Sequence, residues 1–441
     1  MRTGLAGRID PLTLAALPGR RDAAVVTMQG WTVVVGEPVA VVTDVAALSH
    51  VAERCGWRQE PDPDGPPFLG GAVGLLCDDA AHAWLHLPPD PRPRPAPLPA
   101  VRFGVYDAAV CLPPEGGPAH LVAADVPGYS REPAGVRLAR LAGQVAAART
   151  APPASPCAAP PGPLSASLSR AAHRAAVASS LDWISAGSVY QLNLTLQVGA
   201  AWRADGPTFA RALWQESPGA AHAAYLSVGD VDVVSVSPET FLRTRGRQVT
   251  VRPIKGTRGR GATARQDRAA ASALCSSAKD RAEHVMIVDL ERNDLGRVCR
   301  TGTVRVPDLA ALEAHPTVWH LTSTVAGQLR EGTTLTDLLA ATFPCGSVTG
   351  APKRMAVAHI RTLEPVRRGV YCGAIGAVSR GRLDLSVAIR TAVVSAGQVR
   401  YGTGGGIVAD SDPDAEYDEA VTKAAAFLRA VGRDPAGRSL P

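Results

Sequence analysis

Gly404-Gly405-Gly406-Ile407-Val408 leads through the turn Asp410-Ser411-Asp412-Pro413 into a helical stretch from Asp414 to Val431. This is the most informative part of the 441-residue chain. In the helical stretch Val421, Ala424, Ala425 and Leu428 form an apolar stripe, while Glu416, Glu419 and Lys423 fall at i, i+3 and i+7 on a nearly opposite face. Such a polar face is ordinarily solvated. The three glycines upstream change that expectation, because they let an anion approach backbone N–H groups closely, and a carboxylate is a natural guest.

Working outward, Pro253-Ile254-Lys255-Gly256-Thr257-Arg258 sets a lysine between an expected strand and a glycine turn, flanked by Arg252 and Arg258. Neighbouring cations and desolvation both favour the neutral amine, the nucleophilic form; the alternative is a plain surface turn. Ser237-Pro238-Glu239-Thr240 ends the preceding strand with a carboxyl that burial would turn into a general acid, or else with an ordinary turn residue. Lys279-Asp280-Arg281-Ala282-Glu283-His284 opens a largely apolar helix, where Glu283 is costly to bury unless paired or metal-bound. Together with Glu416 and Glu419 it would supply the oxygen ligands Mg²⁺ prefers. Gly346-Ser347-Val348-Thr349-Gly350-Ala351-Pro352-Lys353 lacks the Gly-Lys-Ser/Thr ending of a phosphate loop, which disfavours nucleotide binding.

Composition bounds the answer. Hydrophobic residues make 46% and charged residues 20%, the balance of a globular chain. The net charge is +6, yet the arginines are interleaved with Asp and Glu without a basic block, so no nucleic-acid partner is expected. Eight dispersed cysteines without C-x-x-C spacing indicate neither a zinc site nor a disulfide framework, which fits a reducing cytoplasm. No apolar run approaches 18 residues, so no membrane partner is expected either. Only four of the 46 basic residues are lysines, namely Lys255, Lys279, Lys353 and Lys423, and all lie beyond residue 254. Arginine cannot lose its proton, so a retained lysine marks a place where an amine is needed, or else is a leftover surface residue.

Two stretches, Leu87 to Pro99 and Ala151 to Pro163, are dense in proline and are expected to be exposed and irregular. The second divides a motif-poor N-terminal part (1–150) from the region that carries nearly every distinctive residue (164–431), with a Pro/Ala-rich linker at 151–163 and a tail at 432–441. Ala23 to Val35, Val231 to Val236 and Gln248 to Val251 read as strands; Ala171 to Ala186 and Lys279 to Leu295 read as helices.

These motifs, with Tyr190-Gln191-Leu192-Asn193-Leu194, Asn293-Asp294-Leu295-Gly296-Arg297, His320-Leu321-Thr322-Ser323, Arg368-Gly369-Val370-Tyr371-Cys372-Gly373 and Ala388-Ile389-Arg390-Thr391, occur in the order found in chorismate-utilising enzymes. The series covers about residues 165 to 430 and closely resembles that family. The resemblance implies an α+β fold of two antiparallel β-sheets packed face to face with helices on the outside, so that the linker need not separate independent domains. It implies chorismate as substrate, Mg²⁺ as cofactor held by Glu283, Glu416 and Glu419, and ammonia from a glutamine amidotransferase subunit. Gln191, Gly256, Thr257, His320, Thr349, Tyr371, Arg390, Gly404, Gly406 and Lys423 would line the substrate.

Two positions bear on the reaction. Family members that add water carry a lysine where this chain has Gln191. Those that aminate C2 usually carry alanine where this chain has Lys255, and those that aminate C4 carry a lysine nucleophile there. The resemblance thus implies conversion of chorismate and ammonia to 4-amino-4-deoxychorismate, with Lys255 as nucleophile and Glu239 as acid. The alternative is an anthranilate or 2-amino-2-deoxyisochorismate synthase, kept open by His284, where C4-aminating members often have asparagine. Ser188 stands where many members have aspartate, and no Leu-Glu-Ser tryptophan-binding element is evident.

Overall fold

The computed structural model describes residues 1–5, 9–17, 20–114, 116–151, 162–434 and 440. Most of the expected linker (152–161) and tail (435–439 and 441) lies outside the described residues. The valine-rich run near the N-terminus forms a hairpin of Ala24–Met28 and Trp31–Val35. Its two-residue turn places Gln29 and Gly30 at φ 50° and 86°, the left-handed pair that matches strand twist in tight hairpins. From this hairpin one sheet grows through Ala108–Leu112 on one side and His222–Val228 on the other.

Among the described residues the strands make a twelve-stranded and a ten-stranded sheet, paired antiparallel throughout. The sheets pack face to face over Val26, Val33, Val73, Leu75, Ile375 and Val393, all buried in one apolar cluster. The helices Ala134–Thr150, Gly206–Gln215, Pro413–Lys423 and Ala425–Ala430 cover the outer face of the first sheet through Leu141, Phe209, Leu213 and Phe427. Val45–Cys55, Ala278–Gly296 and Leu335–Thr342 cover the second through Val51, Val288, Leu295 and Leu338. Each fully buried side chain of this size contributes about 1.5–3 kcal/mol. This is the α+β arrangement the resemblance implies.

The sheets interleave the two ends of the chain. Gly71–Leu76 pairs with Ala374–Ser379, and Ala24–Met28 pairs with His222–Val228. Two expectations need correction. Leu87 to Pro99 is irregular but not simply exposed: Asp90, Ala96 and Leu98 are buried, and Asp90 is clamped by Arg92 and Arg361. The carboxylate and its arginines replace water as partners, which lets a proline-rich segment pack. The terminal helix breaks at Ala424, whose N–H is shared between the carbonyls of Ala420 and Val421.

Candidate active site

The floor of the site is the pairing of Gln191–Ala201 with Gln398–Ile407, which sets Asn193 opposite Gly406, Leu194 opposite Gly405 and Thr195 opposite Gly404. The glycine run therefore lies in a regular ladder, and its requirement is space more than exposed N–H groups. A β-carbon on Gly406 would sit 2.7 Å from Gln191 Nε2 and 3.2 Å from Lys255 Nζ; one on Gly405 would face Glu416 Oε2 at 3.3 Å, Lys423 Nζ at 3.5 Å and Glu419 Oε1 at 3.6 Å. Side chains from three separate elements thus meet the places of two missing side chains. Gln191 is fully buried, and neither end of its amide finds a hydrogen-bond partner among the described residues. Buried polar groups are nearly always hydrogen-bonded, so this amide is free to serve a ligand at the floor.

Lys255 belongs to the strand Ile254–Gly259, which pairs with Val318–Gln328. The register shifts between Ile254 and Thr257, and Gly256 at φ 84° takes up the irregularity. A bulge of this kind re-aims one side chain out of the alternation. Burial lowers the pKa of the Lys255 ammonium, with Glu283 opposing the shift and Lys423 adding to it. Its carbonyl is bonded at 3.3 Å by His284 Nδ1, and His284 Nε2 bonds Ser323 Oγ at 2.6 Å.

Glu239 follows the strand Val231–Ser237 and is buried. Its N–H donates to Ser237 Oγ at 3.2 Å, and its carbonyl accepts from Val387 N. Burial pushes the carboxyl up to about 7, against the pull of Ser347, Lys255, the Ile254 N–H and Lys423. A carboxyl so placed holds a proton near neutrality and can donate it.

Arg390 stands at φ 49° between two strands and shares its surroundings with His320, whose Nδ1 bonds Thr257 Oγ1 at 2.8 Å. Burial, His315 and Arg390 bring His320 down to about 4, so its ring is neutral at working pH. Tyr371 lays its ring against Gly402. Thr349 is buried, but its hydroxyl donates to the Cys345 carbonyl at 2.7 Å and so secures the turn. Arg368 braces this turn against the floor, donating to the carbonyls of Val348 and Asn193 and pairing with Glu364 at 2.8 Å.

The helix Pro413–Lys423 is started by Asp412, whose carboxylate accepts from the N–H groups of Asp414 and Ala415, with Pro413 at its first position. It turns the face of Glu416, Glu419 and Lys423 over Gly405. Lys423 Nζ bonds Glu419 at 2.7 Å and the Gly404 carbonyl at 3.0 Å, and Glu416 accepts from Ser411 at 2.6 Å. Glu283 and Glu419 both lie within electrostatic reach of Lys255. Among the described residues no three Asp, Glu, His or Cys side chains form a ready metal cage. The donor set is nevertheless carboxylate oxygen facing an open floor, and it fits a cation that keeps several waters and binds through one or two carboxylates plus substrate.

A family model described as chorismate binding enzyme matches residues 25–429. The chain belongs to this chorismate-binding enzyme family. Anthranilate synthase component 1 of Thermus thermophilus is 38% identical to this chorismate-utilising enzyme over 438 residues, 98% of this chain and 91% of the relative. Aminodeoxychorismate synthase component 1 of Salmonella typhimurium is 36% identical over 425 residues, 94% and 86% respectively. Anthranilate synthase component I from Streptococcus pneumoniae superposes with a TM-score of 0.78 at 28% identity, over 98% of this chain and 92% of that one. Among the described residues no helix is long and apolar enough to cross a membrane.

Sequence reasoning named Lys255, Glu239, Gln191, Gly406 and the 416–423 face, and these converge. It gave no role to Ser347 at the Glu239 carboxyl or to Arg368 under the floor, and it singled out His284 only as a mark of the alternative reaction, not as a residue bonded behind Lys255 with Ser323. Ser347 lies inside the Gly346 to Lys353 motif and was legible there; the Arg368–Glu364 pair depends on packing.

Proposed function

We propose that this enzyme aminates C4 of chorismate to give 4-amino-4-deoxychorismate, with ammonia delivered by a glutamine amidotransferase subunit. The observation that carries this reading is Lys255: a primary amine with its pKa lowered by burial, aimed at the Gly406–Gln191 floor within electrostatic reach of the raised carboxyl of Glu239. The neutral amine of Lys255 adds at C2 while Glu239 protonates the C4 oxygen, which leaves as water; ammonia then adds at C4 and the lysine departs. Splitting one substitution into two is the gain of covalent catalysis. Glu283 and Glu419, with Glu416 beside them, would hold Mg²⁺, which when bound neutralises the ring carboxylate. Arg390, with its forked guanidinium, suits a second carboxylate.

The C2-amination reading is supported by His284, bonded to the Lys255 carbonyl, and by the anthranilate synthase relatives. Incubating the chain with chorismate, Mg²⁺ and an ammonium salt separates the two: a product that keeps the enolpyruvyl group and carries its nitrogen at C4 by NMR supports C4 amination, and nitrogen at C2, with or without release of pyruvate, refutes it. Without ammonia, intact mass is expected to reveal a covalent adduct in the wild-type chain and none in Lys255→Ala.

A further inference from the structure

A second buried carboxyl lies behind Glu239. Glu291, in the helix Ala278–Gly296, is 1% exposed; its Oε1 accepts from the Gly346 N–H at 3.1 Å and from Cys345 Sγ at 3.7 Å. Cys345 Sγ in turn lies 3.2 Å from Ser347 Oγ, and the Ser347 hydroxyl sits close enough to the Glu239 carboxyl to favour its ionised form. The far oxygen of Glu291 and one oxygen of Glu239 are buried without a hydrogen-bond partner among the described residues. The fold thus ties two buried acids together through one thiol and one hydroxyl, each both donor and acceptor. We infer that Glu291 is a positioning residue for Glu239, joined to it by Cys345 and Ser347 in a chain along which one proton passes.

The inference rests on Glu239 being the acid that protonates the departing oxygen. When Glu239 gives up its proton, Ser347 donates to it, Cys345 donates to Ser347 and Glu291 donates to Cys345, so that one proton leaves Glu291 and one arrives at Glu239. When the entering nitrogen sheds a proton to Glu239, the same transfers run backwards and the cycle closes. The charges around the chain suit this traffic. Glu291 feels Lys353 from the helix Lys353–Leu363, Asp294 on its own helix, and Glu239; Glu239 feels Lys255 and Lys423. Lys353 bonds Asp294 at 2.5 Å and the Thr342 carbonyl at 2.7 Å, a fixed cation that steadies Glu291 whenever it is ionised. Burial pushes Glu291 up to about 7, the same range as Glu239, so that neither transfer runs steeply uphill.

The test is the pH profile of kcat with chorismate, Mg²⁺ and ammonium chloride. The charge of Glu239 raises Glu291, and such coupling acts in both directions, so Glu291→Gln is expected to move the alkaline limb toward acid and, with the relay cut, to lower kcat at pH 8 about tenfold. Cys345→Ala, which leaves both acids in place, is expected to lower kcat about tenfold, and Cys345→Ser to restore it, because a hydroxyl carries the proton where a methyl cannot. The cysteine pair decides the matter even if Glu291→Gln folds poorly. If Glu239→Gln abolishes turnover while Glu291→Gln and Cys345→Ala keep the wild-type kcat and limb, the relay is overturned and the acid role of Glu239 stands. Full activity in Glu239→Gln removes that role and the relay with it.

Discussion

Replacing Glu239 by glutamine is expected to stabilise the protein at alkaline pH while ending its activity. The carboxyl is 3% exposed and pushed up to about 7 from an ordinary 4.5, chiefly by burial. A folded-state pKa above the unfolded one means that the acid contributes fully to stability below about 4.5, and that this contribution is lost as pH rises through about 7. At pH 8 the group is ionised in both states, and a separation of roughly two and a half decades at about 1.4 kcal/mol each corresponds to about 3 kcal/mol against folding. Glutamine has nearly the same shape, can still accept from Ser347 and carries no charge. With about 2 cal/mol/K of unfolding entropy per residue over 441 residues, about 3 kcal/mol corresponds to a Tm higher by about 3 °C. The assay is thermal unfolding of wild type and Glu239→Gln at pH 5 and pH 8, with turnover measured on the same samples. The expected result is a Tm gain at pH 8 that largely disappears at pH 5. An equal gain at both pH values, or none at pH 8, would refute the argument that ionisation of a buried acid is what strains this site.

Gly406→Ala sets a methyl 2.7 Å from Gln191 Nε2 and is expected to lower kcat/KM for chorismate at least about tenfold, with Tm near wild type; an unchanged kcat/KM would show that this floor does not face substrate. Arg368→Ala leaves Glu364 as a buried charge without its main partner and two carbonyls unbonded, a loss of about 3–5 kcal/mol visible as a lower Tm. Chelation by EDTA is expected to stop turnover and added Mg²⁺ to restore it, while Glu419→Gln raises the Mg²⁺ needed for half-maximal rate about tenfold or more; turnover indifferent to EDTA would exclude this role for the carboxylates.

The site was legible where chemistry and sequence proximity coincide. Lys255 stood out as an amine between two arginines beside a glycine turn and Glu239 as a carboxyl at a strand end, each equally readable as a plain turn residue until the ordered motifs were considered together. The Glu416, Glu419 and Lys423 face could be read from helical spacing, although spacing alone points it to solvent. The glycine run was found for one reason and serves another: nothing in Gly404 to Gly406 tells that a strand from residues 191–201 and an amine from residue 255 press against it. Glu291 was invisible, since its partner Cys345 is 54 residues away and only packing brings a helix interior against that turn. The fold itself rested on the ordered series of motifs; the valine-rich run from Ala23 to Val35 could be read as strand, but neither its split into a hairpin at Gln29 and Gly30 nor the partners of its outer edges were legible.

Those partners bear on how the protein is made. The hairpin Ala24–Met28 and Trp31–Val35 has its neighbour at His222–Val228, and the strand Gly71–Leu76 has one at Ala374–Ser379. On the ribosome, the first third of the chain emerges with unpaired strand edges that are not covered until some 200 to 300 residues later, at synthesis rates of about 5–20 residues per second. Pairing of such distant segments is slow because loop closure comes first. The newborn N-terminal part is therefore a client for holding chaperones. Splitting the gene near residue 150 is expected to yield two insoluble pieces, whereas coexpression of both halves gives each sheet its missing edge.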